Sequence, residues 1–451
     1  MPAPPARGPH RLTRAHAIWA IGVLAYLAAV TARTSFGVVS VEASHRFAAQ
    51  GAVLSLFGVV QMGTYAAAQI PAGLLLDRWG PRRMLILGAL TMAAGQVVMA
   101  LAEDVPLALL ARLLTGVGDA ATLVSVLRLT AVWFPSRQVP LFTQLATMIG
   151  QLGQAVSAIP FFAVVLQVGW SQGFLALGAL LLVTGVLAVS LVRDAPAAAP
   201  APAPAEEADG STDRALEAYR ASHEGEAAAP VAGSPVPARE ILREVLTSRG
   251  AWSGLFLHCL SIAAVNSFLF LWGVPFLQRG HGLDHGAVSL LLTVNVLVMV
   301  VIGPVIGFLT GRFPERRMLL GLLAGAVVAG TWAATLAVPG THSAVGFLPL
   351  MVGLALGSAT CSVGFDLART AVRPAAIGTA SGFVNIGGFG GGLLCVLLVG
   401  LALDARTGGA GAATLEDYRV ALCAPGIVLL AAAVGLIATG RRSRRDPATT
   451  A

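Results

Sequence analysis

Asp119 is a carboxylate in the middle of a long apolar run, residues 106–134. A charge in such a setting is costly to desolvate, so it is either paired or used. Arg112 lies two helical turns away on nearly the same face, and Arg33 sits in another apolar run, 16–40. A carboxylate beside an arginine out of water can bind and release a proton. The arginine can grip an anion through its planar fork. The structural alternative is that Arg33 or Arg112 neutralises Asp119 and holds helices together. His258 and Asn266 fall in a third run, 251–277. His258 titrates near neutrality and can carry protons. Its alternative role is to hydrogen-bond a neighbouring helix. Together Arg33, Arg112, Asp119, Asn266 and His258 are the candidates for a solute and proton pathway.

Elements that position these residues are written in the composition. Hydrophobic residues make up 56% of the 451 residues and charged ones 11%, with a mean hydropathy of +0.79. A soluble domain carries about 25% charged residues, so this chain belongs in a membrane. Apolar runs fall at 16–40, 52–76, 82–102, 106–134, 138–166 and 169–192, then at 251–277, 286–310, 316–338, 343–368, 375–403 and 418–440. Each is long enough to span as a helix. Period-two alternation, the mark of a barrel, is absent. The expected fold is all-α and membrane-integral: twelve transmembrane helices in two pseudo-symmetric six-helix halves.

The halves are related by a repeated hairpin. Gly73-Leu-Leu-Leu-Asp77-Arg78-Trp79-Gly80-Pro81-Arg82-Arg83 lies between the second and third runs. Gly307-Phe-Leu-Thr-Gly311-Arg312-Phe313-Pro314-Glu315-Arg316-Arg317 lies between the eighth and ninth. Duplication on this scale in an apolar chain points to a transporter built from repeats. Sliding one half onto the other by this offset puts Asn266 beside the equivalent of Arg33.

All 29 basic residues are arginine. Without Lys there is no P-loop and no Schiff-base chemistry. The net charge of +7 reflects topology rather than a nucleic-acid partner. Arg7, Arg11, Arg14, both hairpins, Arg137, Arg369, Arg373, Arg441, Arg442, Arg444 and Arg445 fall on one side of the predicted spans. Only Arg46, Arg279, Arg406 and Arg419 fall on the other. The positive-inside rule makes the first side cytoplasmic, with both termini inside. Trp19, Trp133, Trp170 and Trp252 fall near span ends as interfacial anchors. Val30-Thr-Ala32 resembles a signal-peptidase site, but the apolar run continues past it, and the run is read as a retained helix.

The expected organisation is a cytoplasmic N-terminus (1–15), a six-helix bundle (16–192), a cytoplasmic linker (193–250), a second bundle (251–440) and a cytoplasmic tail (441–451). The Ala-Pro repeat 195–204 and the acidic Glu206, Glu207, Asp209 and Asp213 read as a flexible linker. Within 238–247, Ile241, Leu242, Val245 and Leu246 share one face, which predicts a short helix lying on the membrane surface. Glycines at 387, 388, 390, 391 and 392 predict close packing of the eleventh span. Cys259, Cys361, Cys395 and Cys423 all lie in apolar runs and read as buried thiols, not disulfides. His281, Asp284 and His285 are separated by Gly282, which disfavours a rigid metal-ligand pair. No metal or other cofactor is expected. No His-Glu-x-x-His, nucleophile elbow or acidic metal cluster is present, so the chain does not read as an enzyme.

The hairpin Gly73-x-x-x-Asp77-Arg78-x-Gly80-x-Arg82-Arg83 resembles the signature loop of the major facilitator superfamily. Arg112-x-x-x-Gly116-x-Gly118 resembles that superfamily's fourth-helix motif. The resemblance covers the whole chain. It implies movement of small solutes by alternating access, driven by an ion gradient, around a cavity lined by spans 1, 4, 7 and 10. It implies that Asp77 docks on the start of span 11, near Pro374, and locks the cytoplasmic side, with Gly73 permitting close approach. Arg78, Gly80, Arg82, Arg83, Gly307 and Arg312 complete the motif pair. The second copy departs from it, with Gly311 where Asp77 would stand, so that half should lock less firmly. Anion-transporting branches also carry a span-1 arginine followed by a polar residue, as in Arg33-Thr34-Ser35. Their second arginine in span 7 has no counterpart here, where His258, Asn266 and Ser267 stand.

The reading is a monomeric secondary transporter of a small solute in the cytoplasmic membrane. The expected solute is an organic anion moved with protons, with the lipid bilayer as the other partner. One alternative is an exporter of hydrophobic or cationic compounds. Against it, span 5 has only Gly150-Gln-Leu-Gly153 where antiporter branches carry Gly-Pro-x-x-Gly-Gly. Another is a non-transporting membrane sensor with the same fold, which would use the linker as its output.

Overall fold

The computed structural model describes residues 9–48, 52–196, 236–408 and 413–443. Most of the Ala-Pro repeat, the acidic linker residues, Arg7, Arg444 and Arg445 lie outside these ranges. Among the described residues, 11 helices are long and apolar enough to cross a membrane. One of them, Leu56–Leu101, runs to 46 residues and is broken at Gly80, where φ is 81° and ψ 162°. It is therefore two spans, which brings the architecture to twelve. Span 1 is Pro9–Val38, and spans 2 and 3 share Ala52–Leu101. Spans 4, 5 and 6 are Val105–Trp133, Val139–Val168 and Trp170–Leu191. In the second half, spans 7 to 12 are Arg249–Gly280, His285–Arg312, Pro314–Ala337, Ala344–Arg369, Pro374–Thr407 and Leu415–Gly440.

The turn at Gly80 follows from its residues. Positive φ suits glycine, and Pro81 then starts span 3 where a missing N–H does no harm. The exposed amides of that new helix are capped from a distance. Asp194, just past span 6, accepts from the Arg82 backbone N–H at 2.7 Å. Arg82 in turn donates its guanidinium to the Val189 carbonyl near the end of span 6. Each helix end thus receives the charge its dipole favours. Asp194→Ala is expected to destabilise the N-terminal half by about 1 kcal/mol, the usual loss for a helix cap. A lower melting temperature of the purified protein would register it, and an unchanged one would reject the cap.

Three of the four span-end tryptophans pin chain ends by hydrogen bonds. Trp133 Nε1 donates to the Arg193 carbonyl at 3.1 Å, Trp170 to Met99 at 2.9 Å and Trp252 to Leu246 at 2.8 Å.

Two expectations are corrected here. The helix Ala238–Thr247 is present, but its apolar face is divided: Leu246 is exposed, while Ile241 and Val245 turn inward. Ile241 and Val245 are buried in a cluster with Ala376, Ala380 and Phe383 around the start of span 11. Its polar side is tied to the same place, with Arg373 paired to Glu240 at 3.0 Å and to Glu244 at 2.8 Å. The physical reason is that helix and span start both carry small apolar faces that bury better against each other. The second correction concerns the thiols. Cys259, Cys361 and Cys395 are buried, but Cys423 is exposed.

Candidate functional site

Spans 1 and 4 bring the central charges together. Arg33 Nε donates to Asp119 Oδ2 at 2.6 Å, and its Nη2 donates to Oδ1 at 3.0 Å. This two-point grip is the geometry that suits guanidinium and carboxylate best. Asp119 is fully buried. Arg112, also buried, does not share the carboxylate. It donates Nη2 to the Arg33 backbone carbonyl at 2.9 Å and lies over the Phe36 ring at 5.2 Å. Of the two arginines left open by the sequence, Arg33 is therefore the direct partner and Arg112 braces the backbone behind it. Two guanidinium groups stand against one carboxylate.

Two aromatic rings that sequence reasoning missed wall the Arg33 guanidinium, and further polar contacts join the spans. Arg33 Cζ is 5.1 Å from the Tyr65 ring centroid and 5.4 Å from that of Phe389. Asn385 donates to the Tyr65 hydroxyl at 2.6 Å. Thr34 and Ser157 hydroxyls meet at 2.7 Å, and Ser362 donates to Gln144 Oε1 at 2.5 Å across the two halves. One signal was available: the chain has only 4 tyrosines, and Tyr65 lies in a span.

Asn266 and His258 hydrogen-bond elsewhere. Asn266 Nδ2 donates to the Gly388 carbonyl at 3.4 Å. His258 Nδ1 is 2.9 Å from the Cys361 carbonyl, which can only accept, so Nδ1 carries the proton. Its ring leans on Phe365 at 4.8 Å. His258 and Asn266 sit where the glycine-rich stretch of span 11 comes close to span 7. Both therefore tie span 7 to its neighbours in the C-terminal half.

At the arginine-rich end the hairpin residues divide by partner. Asp77 Oδ1 accepts from the Gly378 N–H at 2.7 Å. Its Oδ2 accepts from the Thr379 N–H and the Thr379 hydroxyl, both at 2.7 Å. Arg128 of span 4 adds an ion pair at 2.8 Å. The carboxylate thus caps the open amides and positive dipole end of span 11. Gly73 allows the approach, since a Cβ there would lie 2.6 Å from Thr379 Cα. Gly80 and Arg82 face Asp194 instead, while Arg78 and Arg83 are exposed.

The second copy closes without a carboxylate. A Cβ on Gly307 would lie 3.0 Å from Leu141 Cα, and one on Gly311 would lie 2.7 Å from the Arg137 carbonyl. Span 8 therefore meets the start of span 5 as span 2 meets the start of span 11, but through close packing on Arg137, Pro140, Leu141 and Gln144 rather than through a carboxylate. Arg312 rests on the Phe313 ring at 5.4 Å. Arg317 caps the end of span 8 through the Thr310 carbonyl at 3.1 Å. Nearby, Asp366 and Arg369 pair at 3.1 Å.

At the opposite end, His281 and His285 do not converge. His281 Nδ1 accepts from the His342 N–H at 3.0 Å, and His285 meets Gln278 at 2.9 Å. Burial, with His342 and Arg419 nearby, pushes the His281 pKa down to about 4. Its ring is therefore neutral at physiological pH, as acceptance through Nδ1 requires.

Known proteins agree with this architecture. A probable sulfoacetate transporter of Cupriavidus necator is 23% identical over 329 residues, covering 70% of each chain. A probable L-galactonate transporter of Escherichia coli is 24% identical over 412 residues, covering 88% of this chain and 82% of the relative. The crystal structure of the transporter FucP in its outward conformation superposes with a TM-score of 0.62 at 14% identity, covering 93% of this chain and 98% of that one. An inward-facing bacterial homologue of the human lysosomal transporter Spinster gives 0.56 at 18% identity, covering 97% and 98%. Residues 22–396 match the sequence model of the Major Facilitator Superfamily. With that match spanning both hairpins, the chain belongs to the Major Facilitator Superfamily and is a multi-pass membrane transporter of small solutes.

Proposed function

We propose that this transporter moves a small organic anion together with protons, by alternating access. One observation carries the reading: at membrane depth a single buried carboxylate is held by Arg33, with a second guanidinium, Arg112, braced behind it. The excess positive charge is the electrostatic complement of an anion, and Arg33 carries the fork that grips carboxylate or sulfonate oxygens. The relatives named for sulfoacetate and L-galactonate support this solute class, since both compounds are anions.

In this reading the solute competes with Asp119 for Arg33. Once released from the arginine, Asp119 takes up a proton, so solute and proton load together. The arginine asymmetry assigns the hairpin end to the cytoplasm. With the hairpin end closed, the site is shut off from the cytoplasm in this state. Asp77 is the lock that must let go of span 11 before the cytoplasmic end opens. The protein acts as a monomer in the cytoplasmic membrane, with both termini inside.

Uptake of labelled sulfoacetate, L-galactonate and other organic acids into proteoliposomes tests the proposal. Accumulation of at least one organic acid that is raised by an inward proton gradient and abolished by an ionophore is expected. Transport of cations alone, or of anions without response to the gradient, would reject it.

A further inference from the structure

The Arg33 guanidinium touches both halves of the molecule. Asp119 and Tyr65 belong to the N-terminal half, and Phe389 belongs to span 11 of the other. The Tyr65 and Phe389 ring centroids are 4.6 Å apart with the rings at 57°, so they meet as a corner against the guanidinium rather than sandwiching it. Phe389 is 8% exposed. A cation–π contact is strongest in such a dry setting.

Phe389 and the lock lie on one continuous helix, Ile377–Thr407. Its first amides, at Gly378 and Thr379, are the ones Asp77 holds. A parting of spans 2 and 11 at the hairpin end would draw Phe389 away from Arg33, since Asp119 and Tyr65 belong to the same half as Arg33. We propose that Phe389 is a positioning residue for the anion site: its ring holds the Arg33 guanidinium only while the hairpin end is closed. The grip of Arg33 on an anion thereby depends on closure. The proposal rests on reading Arg33 as the anion-binding group. By linkage, an anion whose affinity changes with closure shifts closure by the same factor.

A structural role for Phe389, as packing against Tyr65 alone, gives different results in a double-mutant cycle. Spin labels on the hairpin-end tips of spans 2 and 11 report the ratio of open to closed molecules, with no solute added. Phe389→Leu is expected to raise that ratio roughly fivefold. Arg33→Gln should do the same, and the double variant should go no further than the larger single effect. Phe389→Tyr, which keeps the ring, should hold the wild-type ratio. If Arg33→Gln folds poorly, Asp119→Asn is placed in every arm of the cycle. Additive effects, or Phe389→Tyr behaving like Phe389→Leu, overturn the inference whatever any solute does. Adding sulfoacetate and L-galactonate separates the two readings. A non-additive cycle with no response to either anion supports the Arg33–Phe389 contact and counts against the anion reading alone.

Discussion

Arg33→Gln should lose solute binding by roughly a hundredfold or more, the scale expected when two charge-assisted hydrogen bonds are removed. Arg33→Lys should recover little of it, because an ammonium cannot reproduce the planar two-point grip seen on Asp119. Asp119→Asn should behave differently. Accumulation driven by a pH gradient disappears, while exchange of internal for external solute continues. A purely structural pair forecasts another pattern. Breaking a buried pair from one side costs about 3–5 kcal/mol because a charge is left without its partner. Either single variant would then fail through lost folded yield, and the double variant Arg33→Gln, Asp119→Asn would recover. Folded yield, binding and exchange measured in all three variants separate the two roles. A double variant with full pH-coupled transport would end the coupling mechanism.

Asp77→Asn should open the hairpin end. The carboxylate accepts three hydrogen bonds from the start of span 11 and pairs with Arg128. An asparagine offers one acceptor and turns an N–H2 group toward a donor. The loss of charged hydrogen bonds is worth about 2 kcal/mol, enough to shift the open-to-closed ratio roughly thirtyfold. Distances between spin labels on the tips of spans 2 and 11 would show a new, longer population. A ratio within twofold of wild type would reject the lock. Gly311→Ala is no neutral control, since its Cβ would crowd the Arg137 carbonyl. It should open the same end by steric overlap between spans 8 and 5. The two closures therefore differ in kind, one by charge and one by contact.

The fold was legible because lipid imposes one constraint on every residue. Apolar runs of spanning length admit only helices, and the repeated hairpin marked the halves. Asp119 and Arg33 were legible as costly charges, but whether Arg33 or Arg112 is the direct partner was not. Their pairing depends on how spans 1 and 4 cross, and the offset between repeats says nothing about crossings. Phe389 was invisible because a phenylalanine in an apolar run carries no distinguishing cost, and Tyr65 carried only the faint signal of a rare tyrosine in a span. Arg128 gave no sign of its partner in the sequence, since the contact with Asp77 is set by helix packing. The helix 238–247 was found by its periodicity, yet periodicity cannot tell whether an apolar face meets lipid or protein.

The Arg128–Asp77 pair has a consequence for the order in which the chain is made. Arg128 follows Asp77 by 51 residues, whereas the Gly378 amide follows it by 301. At roughly 5–20 residues per second, the ribosome needs some tens of seconds between the two. Throughout that interval Asp77 has its counter-charge but not its dock. Arg128 thus keeps the Asp77 charge paired in the nascent N-terminal bundle until span 11 emerges to receive it.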